Sequence, residues 1–268
     1  MNKGFVVSAQ NTKTINYVDC AIALAFSIKN VMPNEKISII TDDTVPTQYL
    51  SLFDKVIALP YGDLAKDSNW KLINDWQVYD ASPYEYTIKL EADMYVPRSI
   101  DYIWDALAKR DLVVCNTIRN YKQEISKVRF YRNFIDTNKL PDVYNAITYF
   151  RKSEFASKFF MIVRDMFENW ESYKNILICD KDEEVTTDWA YSIACHILGI
   201  ENTTLPNLNQ FSMIHMKQYI NNIPIEDWTK FFVTELYDDV LRIGTIPQEY
   251  IVHYHIKHFA KEVIKHYE

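Results

Sequence analysis

The amino-acid sequence predicts an α/β protein with a mostly parallel sheet flanked by helices. Short apolar runs of strand length alternate with segments of helical periodicity through the first 116 residues. No internal repeat, low-complexity tract or linker divides the 268 residues. Apolar residues make up 48% of the chain, enough for a sizeable core. Alternation of this kind implies parallel strands joined by covering helices. The length suits one large domain, expected at 1–205, with a C-terminal extension at 206–268 that is largely helical.

The elements follow in order. Phe5-Val6-Val7-Ser8-Ala9 reads as a buried strand. Residues 16–30 place Val18, Ile22, Leu24, Ala25 and Ile28 at helical spacing. Strands follow at 37–41, ended by Asp42-Asp43, and at 55–60. A helix is expected at 69–79, then a strand at 86–90 that runs into Glu91-Ala92-Asp93. Residues 99–108 read as a helix with Ser99 as N-cap, and 111–116 as a fifth strand. Beyond it, a strand is expected at 146–150 and helices at 154–173, 187–198 and 259–267, with a mixed pattern after Pro206. Ligands of such sheets gather at the carboxyl ends of strands, where Ser8, Asp42, Glu91 and Asp93 fall.

Composition excludes several classes. With only 4 glycines the chain carries neither GxGxxG nor GxxxxGK, so a nucleotide must be held by something other than a glycine-rich loop, a metal ion being the obvious substitute. A net charge of -7 argues against a general nucleic-acid coat. Cys20, Cys115, Cys179 and Cys195 are far apart and read as free thiols of a reducing compartment. No apolar run has the length of a membrane span, and Met1-Asn2-Lys3-Gly4 leads straight into a strand, so a cytoplasmic protein without signal peptide is expected. Abundant Ile, Asn, Lys, Tyr and Phe point to AT-rich codons and a bacterial or phage genome.

Glu91 and Asp93 carry the chemistry. One residue apart after an apolar strand, they fall on one side of the chain. Hard divalent cations take such oxygen ligands, Mg2+ or Mn2+ typically one or two carboxylates plus substrate phosphates. Two solvated carboxylates at a strand end are the structural alternative.

The first 115 or so residues resemble the glycogenin and bacterial lipopolysaccharide galactosyltransferase group of GT-A enzymes. The resemblance rests on the strand Phe5-Val6-Val7-Ser8-Ala9-Gln10-Asn11, then Tyr17, Ser27-Ile28-Lys29, Trp70-Lys71-Leu72 and Leu90-Glu91-Ala92-Asp93-Met94-Tyr95-Val96, in the group's order and spacing. Glu91 stands where the group's DxD motif has Asp. Downstream, Tyr144-Asn145-Ala146 resembles the group's N-S-G strand without its glycine, and Thr186-Thr187-Asp188-Trp189 its D-Q helix start. His253-Tyr254-His255-Ile256-Lys257 resembles the terminal H-x-x-G-x-x-K-P-W, lacking the glycine and the K-P-W end.

This resemblance implies a GT-A, Rossmann-like fold and a metal-dependent transferase that moves a sugar from a nucleotide-sugar, expected to be a UDP-sugar, with retained configuration. It implies Glu91, Asp93 and His253 as ligands of Mn2+ or Mg2+, with His255 the rival imidazole and Lys257 on the diphosphate. Ser8, Asn11, Tyr17, Asp42 and Lys71 would border the donor, with Asn145 and Asp188 beside the sugar. Asp188 equally suits a helix N-cap. Arg119, Lys122, Lys127, Arg129, Arg132 and Lys139, interleaved with Tyr121, Phe130, Tyr131 and Phe134, read either as a solvated helix or as a surface for a polyanionic acceptor, a glycan or hydroxymethylated phage DNA. A sugar nucleotidyltransferase and a non-catalytic nucleotide-sugar-binding module are the alternative functions.

Overall fold

The computed structural model describes residues 1–66, 71–180, 182–205 and 211–268. Its strands are β1 (Lys3–Ser8), β2 (Ile37–Ile40), β3 (Lys55–Ile57), β4 (Tyr86–Glu91), β5 (Met94–Tyr95), β6 (Leu112–Cys115), β7 (Ile118–Arg119), β8 (Tyr144–Arg151), β9 (Met213–His215), β10 (Thr234–Tyr237), β11 (Val240–Ile243), β12 (Ile246–Pro247) and β13 (Ile251–His253). The longer helices are α1 (Tyr17–Val31), α2 (Glu154–Glu168), α3 (Thr187–Leu198) and α4 (Phe259–Tyr267).

Six strands form the central sheet in the order β3-β2-β1-β4-β8-β6 among the described residues. β3, β2, β1 and β4 run parallel, and β8 is inserted antiparallel between β4 and β6. Phe5 and Val7 of β1 pack into one apolar layer and Val6 into the other, as strand alternation requires. β1, β2 and β6 are therefore buried on both faces, which is why they read as continuous apolar runs, while the edge strand β3 is largely exposed. Ser8 pairs in register with both Ile40 and Glu91, so the carboxyl ends of β2, β1 and β4 form one edge.

A four-stranded sheet, β5-β13-β9-β7, adjoins that edge through the Ala92-Asp93 turn that joins β4 to β5. β13 pairs antiparallel with β5, His253 opposite Met94, and parallel with β9, His253 opposite His215. The last fifth of the chain thus contributes strands to the centre as well as α4, which packs on α1 through the stacked rings of Phe26 and Tyr267, 5.6 Å apart. β10, β11 and β12 add a small antiparallel sheet.

α3 and α4 span the predicted residues, and α1 lies one residue further along with Asn16 Oδ1 accepting from Asp19 N at 3.1 Å. Three expected helices are broken into shorter pieces over their described residues. The start of the helix expected at 69–79 lies outside the described residues, and its remainder is a 3-10 turn at Leu72–Gln77 and a single α turn at Val78–Ala81. There Asn74 and Gln77 turn inward, accepting from Leu64 N and Tyr61 N at 3.0 Å and so tying down the preceding loop. The helix expected at 99–108 is a turn at Asp101–Ile103 and another at Trp104–Leu107. Ser99 is not its cap: its hydroxyl accepts from Asp101 N at 3.2 Å in a local turn. The helix expected at 154–173 is interrupted at Asn169, whose φ of -122° and ψ of 26° leave helical space, and resumes for one turn at Trp170–Tyr173. The expected boundary at Pro206 lies outside the described residues.

Gly4 is where β1 meets Tyr84: a Cβ built on Gly4 would stand 2.5 Å from the Tyr84 ring. The Tyr84 hydroxyl is bonded to Ser38 Oγ at 2.7 Å, so the ring cannot swing away freely. Gly4→Ala should therefore destabilise the fold by about 1–3 kcal/mol through overpacking. A urea midpoint equal to that of the parent protein would contradict this placement of Tyr84.

Candidate active site

At the shared edge of the two sheets lies a cavity of about 720 Å3. Ser8, Tyr17, Lys71, Glu91, Asp93, Asn145, Asp188, His253 and Lys257, all predicted from sequence, line it. Elements far apart in the chain supply them: Glu91 ends β4, Asp93 closes the two-residue turn into β5, and His253 ends β13. A backbone bond from Tyr254 N to Asp93 O, 3.1 Å, fixes the two segments together.

His253 Nε2 stands 3.1 Å from Glu91 Oε2 and 3.2 Å from Asp93 Oδ2. Lys257 Nζ donates to Asp93 Oδ2. Asp93 is only 4% exposed. Burial alone would raise its carboxyl, but His253 and Lys257, with a smaller share from His255, hold it well below the usual carboxylate range. The Lys257 ammonium is disfavoured by burial, and Asp93 outweighs that and raises it above the ordinary lysine value.

This donor set fits a hard divalent cation. One ligand atom from each of Glu91, Asp93 and His253 lies within 4.8 Å of the others, two carboxylates and one imidazole being a chemistry that suits Mn2+ or Mg2+. The imidazole within reach of both carboxylates is that of His253. His255 turns instead to His215, with Nε2 3.1 Å from Nδ1.

Asn145 joins the site to its surroundings. Its side-chain amide donates to Glu91 Oε1 at 2.8 Å, leaving Oε2 towards His253. Its backbone N–H donates to Asp188 Oδ1 at 3.0 Å, and Arg132 Nη1 reaches Asp188 Oδ2 at 2.8 Å. Both Asp188 oxygens are thus engaged. Asp188 is not the cap of α3; Thr186 is, accepting from Trp189 N at 3.3 Å. The Asn145 carbonyl accepts from Lys89 Nζ at 3.2 Å.

Lys89 escaped the sequence reading, as did its partners. It is 1% exposed, paired with Asp75 at 2.6 Å, and Asp75 also accepts from the Tyr191 hydroxyl at 2.6 Å. A buried ammonium requires such a partner. The available signal was a lysine inside an apolar strand, two residues before Glu91 and so on the same side. His215 was hidden as a single histidine in the apolar run Phe211-Ser212-Met213-Ile214-His215-Met216.

Two predicted donor contacts lie elsewhere. Asn11 and Asp42 do not line the cavity. Asn11 Oδ1 accepts from Val18 N at 3.1 Å and its N–H donates to Asp43, while Asp42 Oδ1 accepts from Leu59 N at 3.0 Å; both shape loops. Gln10 lines the cavity in their stead. Lys71 does line it, with its ammonium held by Asp63 and the Ala65 carbonyl, each at 2.7 Å.

The basic stretch is not a continuous cationic face. Arg119 lies 4.1 Å over the Tyr250 ring and donates to Ser212 and to the Gln123 carbonyl. Arg129 pairs with Asp136 and Asp142, and Arg132 is buried between Asp142 and Asp188. Lys122, Lys127 and Lys139 are exposed. Of the cysteines, Cys20, Cys115 and Cys195 are buried, and burial pushes each thiol up to about 12, so they are inert at neutral pH.

Solved structures share this architecture. The galactosyltransferase LgtC, in complex with donor and acceptor sugar analogues, superimposes over 98% of this chain and 95% of its own with a TM-score of 0.55 at 11% identity. Mouse xyloside xylosyltransferase 1 matches 96% of this chain and 98% of its own, with a TM-score of 0.51 at 9% identity. The glycosyltransferase GlyE of Streptococcus pneumoniae TIGR4 matches over 97% of this chain at a TM-score of 0.50 and 12% identity, and the chain spans 60% of the GlyE length. Neither a protein-family profile nor a curated protein matches the chain. The fold is that of the GT-A glycosyltransferases.

Two outcomes follow from the local geometry. Asn145→Ala removes the bond that orients Glu91 and should weaken Mn2+ binding by about 10–100-fold, the usual effect of losing such a support; calorimetric titration reads it. His255 has a φ of 58°, and Ile256 N–H donates back to the Tyr254 carbonyl across it. A non-glycine residue held there costs on the order of 1 kcal/mol. His255→Gly relieves that strain but deletes a ring packed on His215 and His253 and frees the unfolded chain, so the melting temperature should fall; a rise would show that the strain outweighs both.

Proposed function

We propose that the protein transfers a sugar from a nucleoside diphosphate sugar to an acceptor hydroxyl, assisted by Mn2+ or Mg2+ held by Glu91, Asp93 and His253. The observation that carries this reading is the meeting of those three side chains with Lys257 in one cavity at the carboxyl edge of a GT-A sheet. The fold alone would allow other chemistry; the acid-imidazole-ammonium cluster favours a site for a diphosphate.

The ion, when bound, neutralises charge on a departing nucleoside diphosphate. The chain's own residues do the rest. Lys257 places a fixed positive charge beside Asp93, able to pair with a phosphate oxygen as the leaving group gains charge. Asn145 holds one Glu91 oxygen and leaves the other for binding. Asp188 is tied by Arg132 and the Asn145 N–H, which suits it to orienting a sugar or stabilising positive charge at its anomeric carbon rather than to free nucleophilic attack. Tyr17 and Gln10 border the end of the cavity next to β1, where a nucleoside would lie. A UDP donor and retained configuration are the readings adopted from the family resemblance. The internal pairing of Arg119, Arg129 and Arg132 favours an uncharged glycan hydroxyl over nucleic acid as acceptor.

The test is release of UDP from a panel of UDP-sugars, with Mn2+ and with EDTA. Release should require the cation, and Lys257→Ala should lower it by about 10²–10³-fold, as loss of a charge-stabilising group does. Turnover that survives EDTA, or a Lys257→Ala variant as active as the parent, would refute the proposal.

A further inference from the structure

His253 belongs to two clusters at once. On one side it faces Glu91 and Asp93; on the other lie His215 and His255. One nitrogen from each of the three imidazoles falls within 4.8 Å of the others. His215 Nδ1 and His255 Nε2 are 3.1 Å apart. Two nitrogens bound at about 2.0–2.1 Å to a tetrahedral zinc ion are roughly 3.3 Å apart, so this pair has nearly the spacing of two ligands. The His253 ring centroid lies 5.2 Å from that of His215 and 3.8 Å from that of His255. His253 Nδ1 is buried and has no hydrogen-bond partner among the described residues, an atom that a buried imidazole rarely leaves unused.

The backbone brings the three residues together; the His253 and His255 rings, tilted by 32°, turn to converge on an ion. His215 and His253 sit opposite each other on the parallel pair β9 and β13. The Asn221 side chain ties the His215 carbonyl at 2.8 Å. His255 is carried in by its left-handed backbone, with the Tyr254 carbonyl clamped by the Trp228 indole at 2.7 Å. All three rings line the same cavity, which leaves room for a water as fourth ligand.

We propose that His215, His253 and His255 form a second cation site, selective for a nitrogen-preferring transition ion of which Zn2+ is the type, and that it excludes the ion at Glu91 and Asp93. Imidazole suits Zn2+, Co2+, Ni2+ and Cu2+, whereas carboxylates suit Mg2+ and Mn2+. A neutral imidazole has one lone pair for a metal, the other nitrogen carrying its proton. His253 therefore serves one ion at a time, and Zn2+ on the imidazoles removes a ligand from the carboxylate site. The binding claim stands on the three rings; the exclusion of an ion at Glu91 and Asp93, and the inhibition of turnover that follows, rest on the proposed metal-assisted transferase reading.

The experiment follows free Mn2+ by its electron paramagnetic resonance signal while Zn2+ is added to the intact protein, and records the visible spectrum with Co2+. Zn2+ near one equivalent should release bound Mn2+, and Co2+ should give the intense bands of a four-coordinate, nitrogen-rich ion. His215→Gln and His255→Gln should bind Mn2+ as the parent does but need at least about tenfold more Zn2+ to release it. Both variants are checked by thermal melting, so that a misfolded His215→Gln leaves His255→Gln to decide. Simultaneous binding of Mn2+ and Zn2+, or folded variants with unchanged Zn2+ demand, would overturn the proposal. Failure of the parent to bind Mn2+ would count against the proposed function, while the Co2+ spectrum would still report on the imidazole site.

Discussion

The arrangement depends on one carboxylate. Asp93 is almost fully buried at the sheet edge, and its charge is sustained by groups 160 and 164 residues further along the chain, His253 and Lys257. An isolated buried carboxylate would take up a proton; this one stays ionised because the C-terminal segment brings two partners to it. The backbone bond from Tyr254 to Asp93 and the pairing of β13 with β5 make that delivery a matter of strand register. A slip of one residue would turn His253 to the opposite face. Site formation and docking of the last strand are therefore one event.

A second layer determines how the other carboxylate is presented. Asn145 reaches Glu91 through its side chain, Asp188 through its N–H and Lys89 through its carbonyl. Its position follows from the antiparallel insertion of β8 beside β4, with Ile147 opposite Leu90. The buried pair Lys89–Asp75 behind it keeps that carbonyl engaged, and Arg132 keeps Asp188 from facing Glu91 as an uncompensated like charge. Charges in this layer are matched side by side, as low-dielectric surroundings demand.

Much of this was legible in the chain. The parallel core, α3 and α4 follow from periodicity, because each buries one apolar stripe or a continuous apolar run. Glu91 and Asp93 could be named as candidates because strand alternation puts both carboxylates on one side; the family resemblance favours His253 over His255, and His253 is the imidazole that stands 3.1 Å from Glu91 and 3.2 Å from Asp93. What could not be read depends on pairing at a distance. The antiparallel direction of β8 has no local signature. Asn11 and Asp42 carry the right groups but spend them on loop backbone. Arg129 and Arg132 look like surface cations until Asp142 and Asp188 are placed beside them. The helix expected at 154–173 is interrupted at Asn169, which leaves helical space before one more turn at Trp170–Tyr173, a break that apolar spacing does not encode.

The central claim is that Glu91, Asp93 and His253 bind one divalent ion together. Anomalous diffraction from crystals grown with Mn2+ and UDP tests it most directly. The account predicts a single manganese peak at bonding distance from all three side chains, with the diphosphate on its open side next to Lys257. A peak bound elsewhere, or a diphosphate seated in the cavity with no ion between it and the carboxylates, would contradict it.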